Sequence, residues 1–403
     1  MKKTIFLCAA LFIVSCGSDE GDQPALEVRP EEAPHFSVSD MELSLSFGAD
    51  EEMLESEFLI ATPVNLNVDN EGNIYVFDEM KVKVYDANGK PKGIAGGPGQ
   101  GPGEFQGAML HYYNPMYVSP VGYIAVDTPW LINNNYIVYS PELRFLGNFH
   151  VNKFIIKGST VSTFNVISVI SDNEYIGMSG NVITTEEKET FHKQLIHYKY
   201  GDETVIAAYD EMKGVVVDGE MVPLRHGLFR WYMLDDLRIV YTHTYMDAVY
   251  SGADSYYTIH IYDPKTGERD KIEIPFTPEE ILIEDYDAVL ERTPEPQREG
   301  RDTRAMRNYH NKRNEILKQI KYEPPVYWIK TDGIHVLIWN ENLNVEPYSF
   351  YQVIDISQKK IVSSFNIDYG YATSIMKNGY IYSIGKNDDG FYVVNRYVFR
   401  VPK

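Results

Sequence analysis

Six segments of the chain share one pattern of apolar and polar positions: a turn pair, a short apolar or alternating run, then polar residues. They read GNIYVFD (72–78), GYIAVD (122–127), NEYIGM (173–178), DLRIVY (236–241), GIHVLI (333–338) and GYIYSI (379–384). Alternation with period two marks half-buried strands. Another short apolar stretch precedes each run, as at residues 64–68, 164–170, 229–234 and 326–329. Most are followed by a second hairpin. VKVYD (82–86) turns through Asn88-Gly89, IHIYD (259–263) through Thr266-Gly267, and YQVID (351–355) through Ser357-Gln358. Such pairs suit tight hairpins because they tolerate positive φ. The unit is four antiparallel strands in about 45 residues, six times over, which predicts an all-β, six-bladed β-propeller. A β-sandwich leaves six copies of one pattern unexplained.

The last copy is short of a strand. After Gly379 only two strands remain, and MELSLSF (41–47), which alternates with period two, can supply the outer one and close the ring. Between Pro275 and Pro324 the strand period gives way to a helical one. Thr277-Pro278-Glu279-Glu280 has the form of a capping box, followed by Leu282, Tyr286 and Val289, with Pro294 and Pro296 as a stop. A second helix is expected from about Thr303, capped by Asp302, to Ile320, with Met306, Tyr309, Ile316, Leu317 and Ile320 on one face. Residues 277–322 are therefore expected to form a helical hairpin between blades four and five.

The amino terminus changes the address. Lys2 and Lys3 precede an uncharged apolar run over residues 5–14, too short to span a bilayer. The sequence IVSC (13–16) then resembles a bacterial lipobox, which implies signal-peptide removal before Cys16 and a lipid on that cysteine. Residues 1–15 are expected to be the signal, 16–34 a flexible acidic tether, and 35–403 the propeller. Of the two cysteines, Cys8 leaves with the signal, so the mature domain has no thiol for a disulfide, a nucleophile or a metal. The net charge is −21, and loss of Lys2 and Lys3 takes it to −23. That sign disfavours nucleic acid and anionic lipid surfaces.

NVDNEGNIYVFD (67–78) with VKVYD and Gly89 resembles an NHL repeat, and GGPGQGPGEF (96–105) is similar to the glycine-rich loop of six-bladed propeller lipoproteins of Bacteroidota. Asp19, Glu20 and Asp22 resemble the acidic export signal of surface lipoproteins in that group. The resemblance implies a lipid-anchored outer-membrane propeller exposed at the cell surface. Its sharp part covers about 45 residues, one blade, and fold transfers along it better than function.

In a propeller the second-to-third turns and the interblade connections share one face, the top. The glycine-rich loop, the helical insert and the long turns at 127–135, 180–193, 243–256 and 339–348 all fall there, where binding residues on a rigid scaffold gather. The loop lacks the Gly-Lys-Ser/Thr ending of a phosphate-binding loop. Gly101 and Gly103 read instead as positions of close backbone passage, with Glu104 and Phe105 as anchors. Trp130, Tyr245 and Trp339, with Asn133, Asn134, Asn340 and Glu341 beside them, suit stacking on a glycan; rings packed beneath the insert account for the same residues. His243 joins this candidate group by position, although it, His226 and His335 lack metal-ligand spacing. Arg301, Arg304 and Arg307 recur every three residues in a locally basic insert, a stripe for an acidic partner or a solvated face against the acidic propeller.

No catalytic motif is present. The leading expectation is non-catalytic capture of a glycan, peptide or protein through the top face, without a cofactor. One alternative is a hydrolase or lyase holding a divalent cation such as calcium in the channel, with Asp78 and Asp127 as ligands. The other is a structural subunit of an outer-membrane assembly.

Overall fold

The computed structural model describes residues 35–38, 41–49, 56–105, 116–127, 135–150, 159–160, 166–186, 188–217, 220–283, 303–339, 348–368 and 374–399. They form six antiparallel sheets ordered around a ring. Blade one is Pro63–Val68, Ile74–Asp78, Lys81–Tyr85 and Pro91–Ala95; blade two is Met116–Val118, Ile124–Asp127, Asn135–Tyr139 and Phe145–His150. Blade three is built on Val166–Ser171, Glu174–Thr184, Lys188–Lys199 and Asp202–Val217. Blade four is Phe229–Met233, Ile239–His243, Tyr256–Tyr262 and Arg269–Pro275. Blade five is Trp328–Asp332, His335–Trp339, Tyr348–Asp355 and Lys360–Asp368. Blade six has three strands from the carboxyl end, Ile375–Lys377, Tyr380–Lys386 and Tyr392–Val398, and takes its fourth from Leu43–Phe47. Leu43–Phe47 pairs antiparallel to Tyr392–Val398, so the two ends of the propeller clasp one sheet. The first strands of neighbouring blades meet around the axis, including blade six against blade one.

The core lies between blades, as alternation requires. Tyr75, Phe77, Val82 and Val84 of blade one pack on Met116, Ile124, Val126 and Ile137 of blade two. Ile176, Met178 and Leu195 of blade three pack on Phe229, Trp231 and Met233 of blade four.

Three features differ from the sequence reading. From Pro275 through Ile283 the chain stays extended instead of entering a capped helix at Thr277: Glu280 pairs with Tyr322, the Ile281 N–H donates to Lys321 O (2.9 Å), and the Glu323 N–H donates to Glu279 O (2.9 Å). The remainder of that expected helix lies outside the described residues. Pairing with the chain that leaves the insert outweighs the local capping preference. The insert's described helix, α1 (Thr303–Ile320), matches the expected second one. Of its expected apolar face only Leu317 is buried, whereas Met306 and Tyr309 are exposed. The supposed turn at 180–193 is strand through Thr184 and again from Lys188, because blade three carries overlong strands. With Glu220–His226 they form an arm on the top side. Last, His35–Val38 adds to blade five as a parallel outer strand.

Candidate functional site

The two ends of the channel are built differently. At the base, the turns between first and second strands are joined across the ring. Asn70 of blade one donates through Nδ2 to Asp235 O of blade four (2.8 Å), and its N–H to Pro120 O of blade two (2.9 Å). The Asp235 N–H reaches Gly333 O of blade five (3.3 Å), and Lys377 of blade six forms an ion pair with the Asp235 carboxylate. Asn378 Nδ2 donates to Asp69 O (3.2 Å), and the Gly379 N–H to Asp332 Oδ2 (3.2 Å). Burial pushes the Asp332 carboxyl up, with the Asp235 charge adding to it. Blades one and four stand opposite each other in a six-membered ring, so the Asn70–Asp235 bond crosses the axis at the base.

The top face carries no such crossing among the described residues. There the glycine-rich loop is pinned down: Phe105 is fully buried against Phe77 (centroids 5.6 Å) and Tyr139 (6.2 Å). Its N–H donates to Gly97 O (2.7 Å), and the Tyr139 hydroxyl donates to Gly103 O. A side chain at Gly96 would collide with the Phe105 ring and stand 2.9 Å from the Tyr139 hydroxyl, and φ there is +68°. Glu104 turns back into the loop to accept the Gly101 N–H (2.6 Å). The glycines thus let the backbone fold around Phe105 and Glu104, leaving these groups engaged inside the loop.

Asp78 is engaged likewise. Fully buried at the top of blade one, it accepts the Ala61 N–H (3.0 Å), the Thr62 N–H (2.6 Å) and Lys83 Nζ (2.6 Å). A carboxylate holding three donors has little capacity left for a cation, so Asp78 fixes the entry of the first strand. Asp127 ends its strand half-buried near Tyr117 and Tyr136. Among the described residues, no group of three His, Cys, Asp or Glu side chains is placed to share a metal ion.

His243 is buried, with Nδ1 accepting the Tyr245 (3.3 Å) and Met246 (3.0 Å) N–H groups. Burial pushes its pKa down, which suits a neutral turn-former. Tyr245 and Tyr250 run under the exit of the insert: the Tyr245 hydroxyl donates to Ile320 O (3.4 Å), and Tyr250 stacks on Tyr322 (5.0 Å). Trp339 is half-buried at the top of blade five, edge-on to Tyr327 (4.9 Å). Arg307 is exposed on α1; the Arg304 side chain, like Cys16, Trp130, Asn133, Asn134, Arg301, Asn340 and Glu341, lies outside the described residues.

The structure adds residues that the sequence reading passed over. Arg230 and Tyr232, on the first strand of blade four, face Trp328 on the first strand of blade five. The guanidinium lies 3.7 Å over the Trp328 ring, and Trp328 Nε1 donates to the Tyr232 hydroxyl (3.1 Å). Lys330, two residues on, donates to Ser374 O of blade six (2.8 Å), and burial pushes its pKa down to about 8. The signal is a cation beside aromatic or aliphatic residues in each of two first strands, FRWYM and WIKTD.

The chain matches no protein-family model and no curated protein. Among solved structures it is similar to a protein of Bacteroides fragilis NCTC 9343 described as exported, at 11% identity and TM-score 0.43, over 91% of this chain and 99% of that one. It is also similar to the polysaccharide lyase Uly1, at 10% identity and TM-score 0.38, over 84% and 77%. A third is the β-propeller domain of the Trilobed protease from Pyrococcus furiosus, at 10% and 0.35, over 85% and 82%. No helix among the described residues is long and apolar enough to cross a membrane.

Proposed function

We propose that the protein is an exported lipoprotein, anchored through Cys16 to the outer membrane and exposed at the surface, whose propeller captures a partner on its top face without catalysis. The address rests on IVSC at 13–16, the acidic tether and the likeness of residues 67–105 to NHL-type propeller lipoproteins of Bacteroidota. The face rests on one observation: a hydrogen bond between opposite blades one and four, joined by an ion pair from blade six to the same Asp235, crosses the channel at the base, so a ligand entering the ring comes from the top. Large apolar side chains exposed on that side, among them Met246, Leu282, Met306, Tyr309 and Tyr327, offer a partner contact area, while Val121, Tyr200 and Ile334 are exposed at base turns.

Capture of a glycan or peptide is favoured over channel hydrolysis with a bound cation because the first strands of blades four and five bring Arg230 and Lys330 toward the axis. A cation there repels a divalent metal. The test is a glycan and peptide array probed with the wild-type chain, Tyr327→Ala and Trp339→Ala. Binding by the wild type that falls at least tenfold in the two variants supports top-face capture. Binding indifferent to both, or calcium-dependent turnover of a bound glycan, refutes it.

A further inference from the structure

Arg230 carries a charge that the fold does not use. It is the second residue of the first strand of blade four, at the top of the channel wall. Its Nε is buried with no hydrogen-bond partner, and among the described residues the guanidinium makes no hydrogen bond and no ion pair. It packs against the ring of Trp328, 3.7 Å away. The nearby carboxylate of Glu211 is already held by Lys193 Nζ (2.7 Å) and the Phe229 N–H. Burial takes the guanidinium partly out of water, and neither the Trp328 ring nor the Glu211 carboxylate, already held by Lys193, replaces the hydrogen bonds that water gave it. A neutral side chain of like shape would serve folding better. Charges retained at a cost to stability gather at functional sites.

We propose that this mouth of the channel, between blades four and five, binds the carboxylate of an acidic sugar, a uronate residue of a glycan. This inference rests on the top-face reading and names its ligand class. The planar guanidinium fork of Arg230 matches a carboxylate in two parallel hydrogen bonds. Beside it Tyr327, exposed and edge-on to Trp339, offers an aromatic face for the apolar side of the sugar ring. The surrounding field selects as well. A chain of net charge −21, with Glu211 close behind Arg230, repels densely charged polymers and tolerates one isolated carboxylate.

The experiment is a calorimetric titration of the full chain with a neutral oligosaccharide that carries a single terminal glucuronate, and with its methyl ester, which keeps the sugar and removes the one charge. The acid is expected to bind at least tenfold more tightly than the ester, with an advantage that shrinks in added salt. Arg230→Met is expected to abolish that advantage while its melting temperature without ligand equals or exceeds that of the wild type; Arg230→Lys retains part of it. Equal binding of acid and ester overturns the inference, as does failure of the wild type to bind the acid. A drop in the melting temperature of Arg230→Met overturns it too, by making Arg230 a structural residue. The wild-type comparison decides the matter even where a variant fails to fold. Array ligands that are neutral, and lost in Tyr327→Ala, would leave the top-face reading standing while this inference falls.

Discussion

Gly96 and Phe105 form a pair whose sizes are set against each other, and the pair can be tested as one. Phe105→Ala removes a fully buried ring wedged between Phe77 and Tyr139 and is expected to cost about 3–5 kcal/mol, in the range of large-to-small core changes. Gly96→Ala meets two penalties. The residue sits at φ +68°, where an L side chain loses about 1 kcal/mol. Its new methyl group would also strike the Phe105 ring, and overpacking of that kind adds about 1–3 kcal/mol. The total is about 2–4 kcal/mol in the wild type. Once Phe105 is alanine the collision is gone, so the same change should cost only about 1 kcal/mol, leaving a coupling of about 1–3 kcal/mol. Urea unfolding of the four proteins, followed by tyrosine fluorescence and circular dichroism together, reads this out. An equal cost of Gly96→Ala in both backgrounds would mean that the loop does not close over Phe105, and would reopen a ligand-binding role for the glycines.

Two further outcomes follow from the channel wall and base. Lys377→Met and Asp235→Asn should each destabilise the chain by about 1–3 kcal/mol, as loss of a charge-assisted bond does; the double variant should cost less than their sum in urea melts, and strict additivity would deny the Lys377–Asp235 ion pair across the base. Lys330 is held down to about 8 by burial, whereas an unfolded lysine keeps its proton to about 10.4. The unfolded chain therefore binds more protons between those values, so stability rises with pH across the window. The gain is about 2 kcal/mol at most between pH 8 and 9.5, and it should vanish from urea midpoints in Lys330→Met.

Much of the ring was legible because its units repeat. Each apolar run, from residues 72–78 to 379–384, became the second strand of a blade, and 41–47 supplied the closing strand, since period-two alternation and turn pairs act locally. The capping pattern at Thr277 misled for the opposite reason: local preference lost to pairing with residues 321–323, which only the tertiary fold brings near. The arm on blade three was hidden in the same way, because Gly180 and the polar residues after it are paired strand. At the top face, position along the chain singled out Tyr245 and Trp339 but could not tell a ring under the insert from an open one. Arg230 was passed over because one arginine within an apolar strand looks like tolerated noise. Only its burial without a partner sets it apart.

The most direct test of top-face capture is hydrogen–deuterium exchange of the chain with and without its tightest array ligand. Protection should concentrate in residues 227–231, 243–250 and 320–328, leaving the base turns at 69–73, 119–122, 234–237 and 377–379 unchanged. Protection centred on those base turns, with the top unaffected, would contradict it.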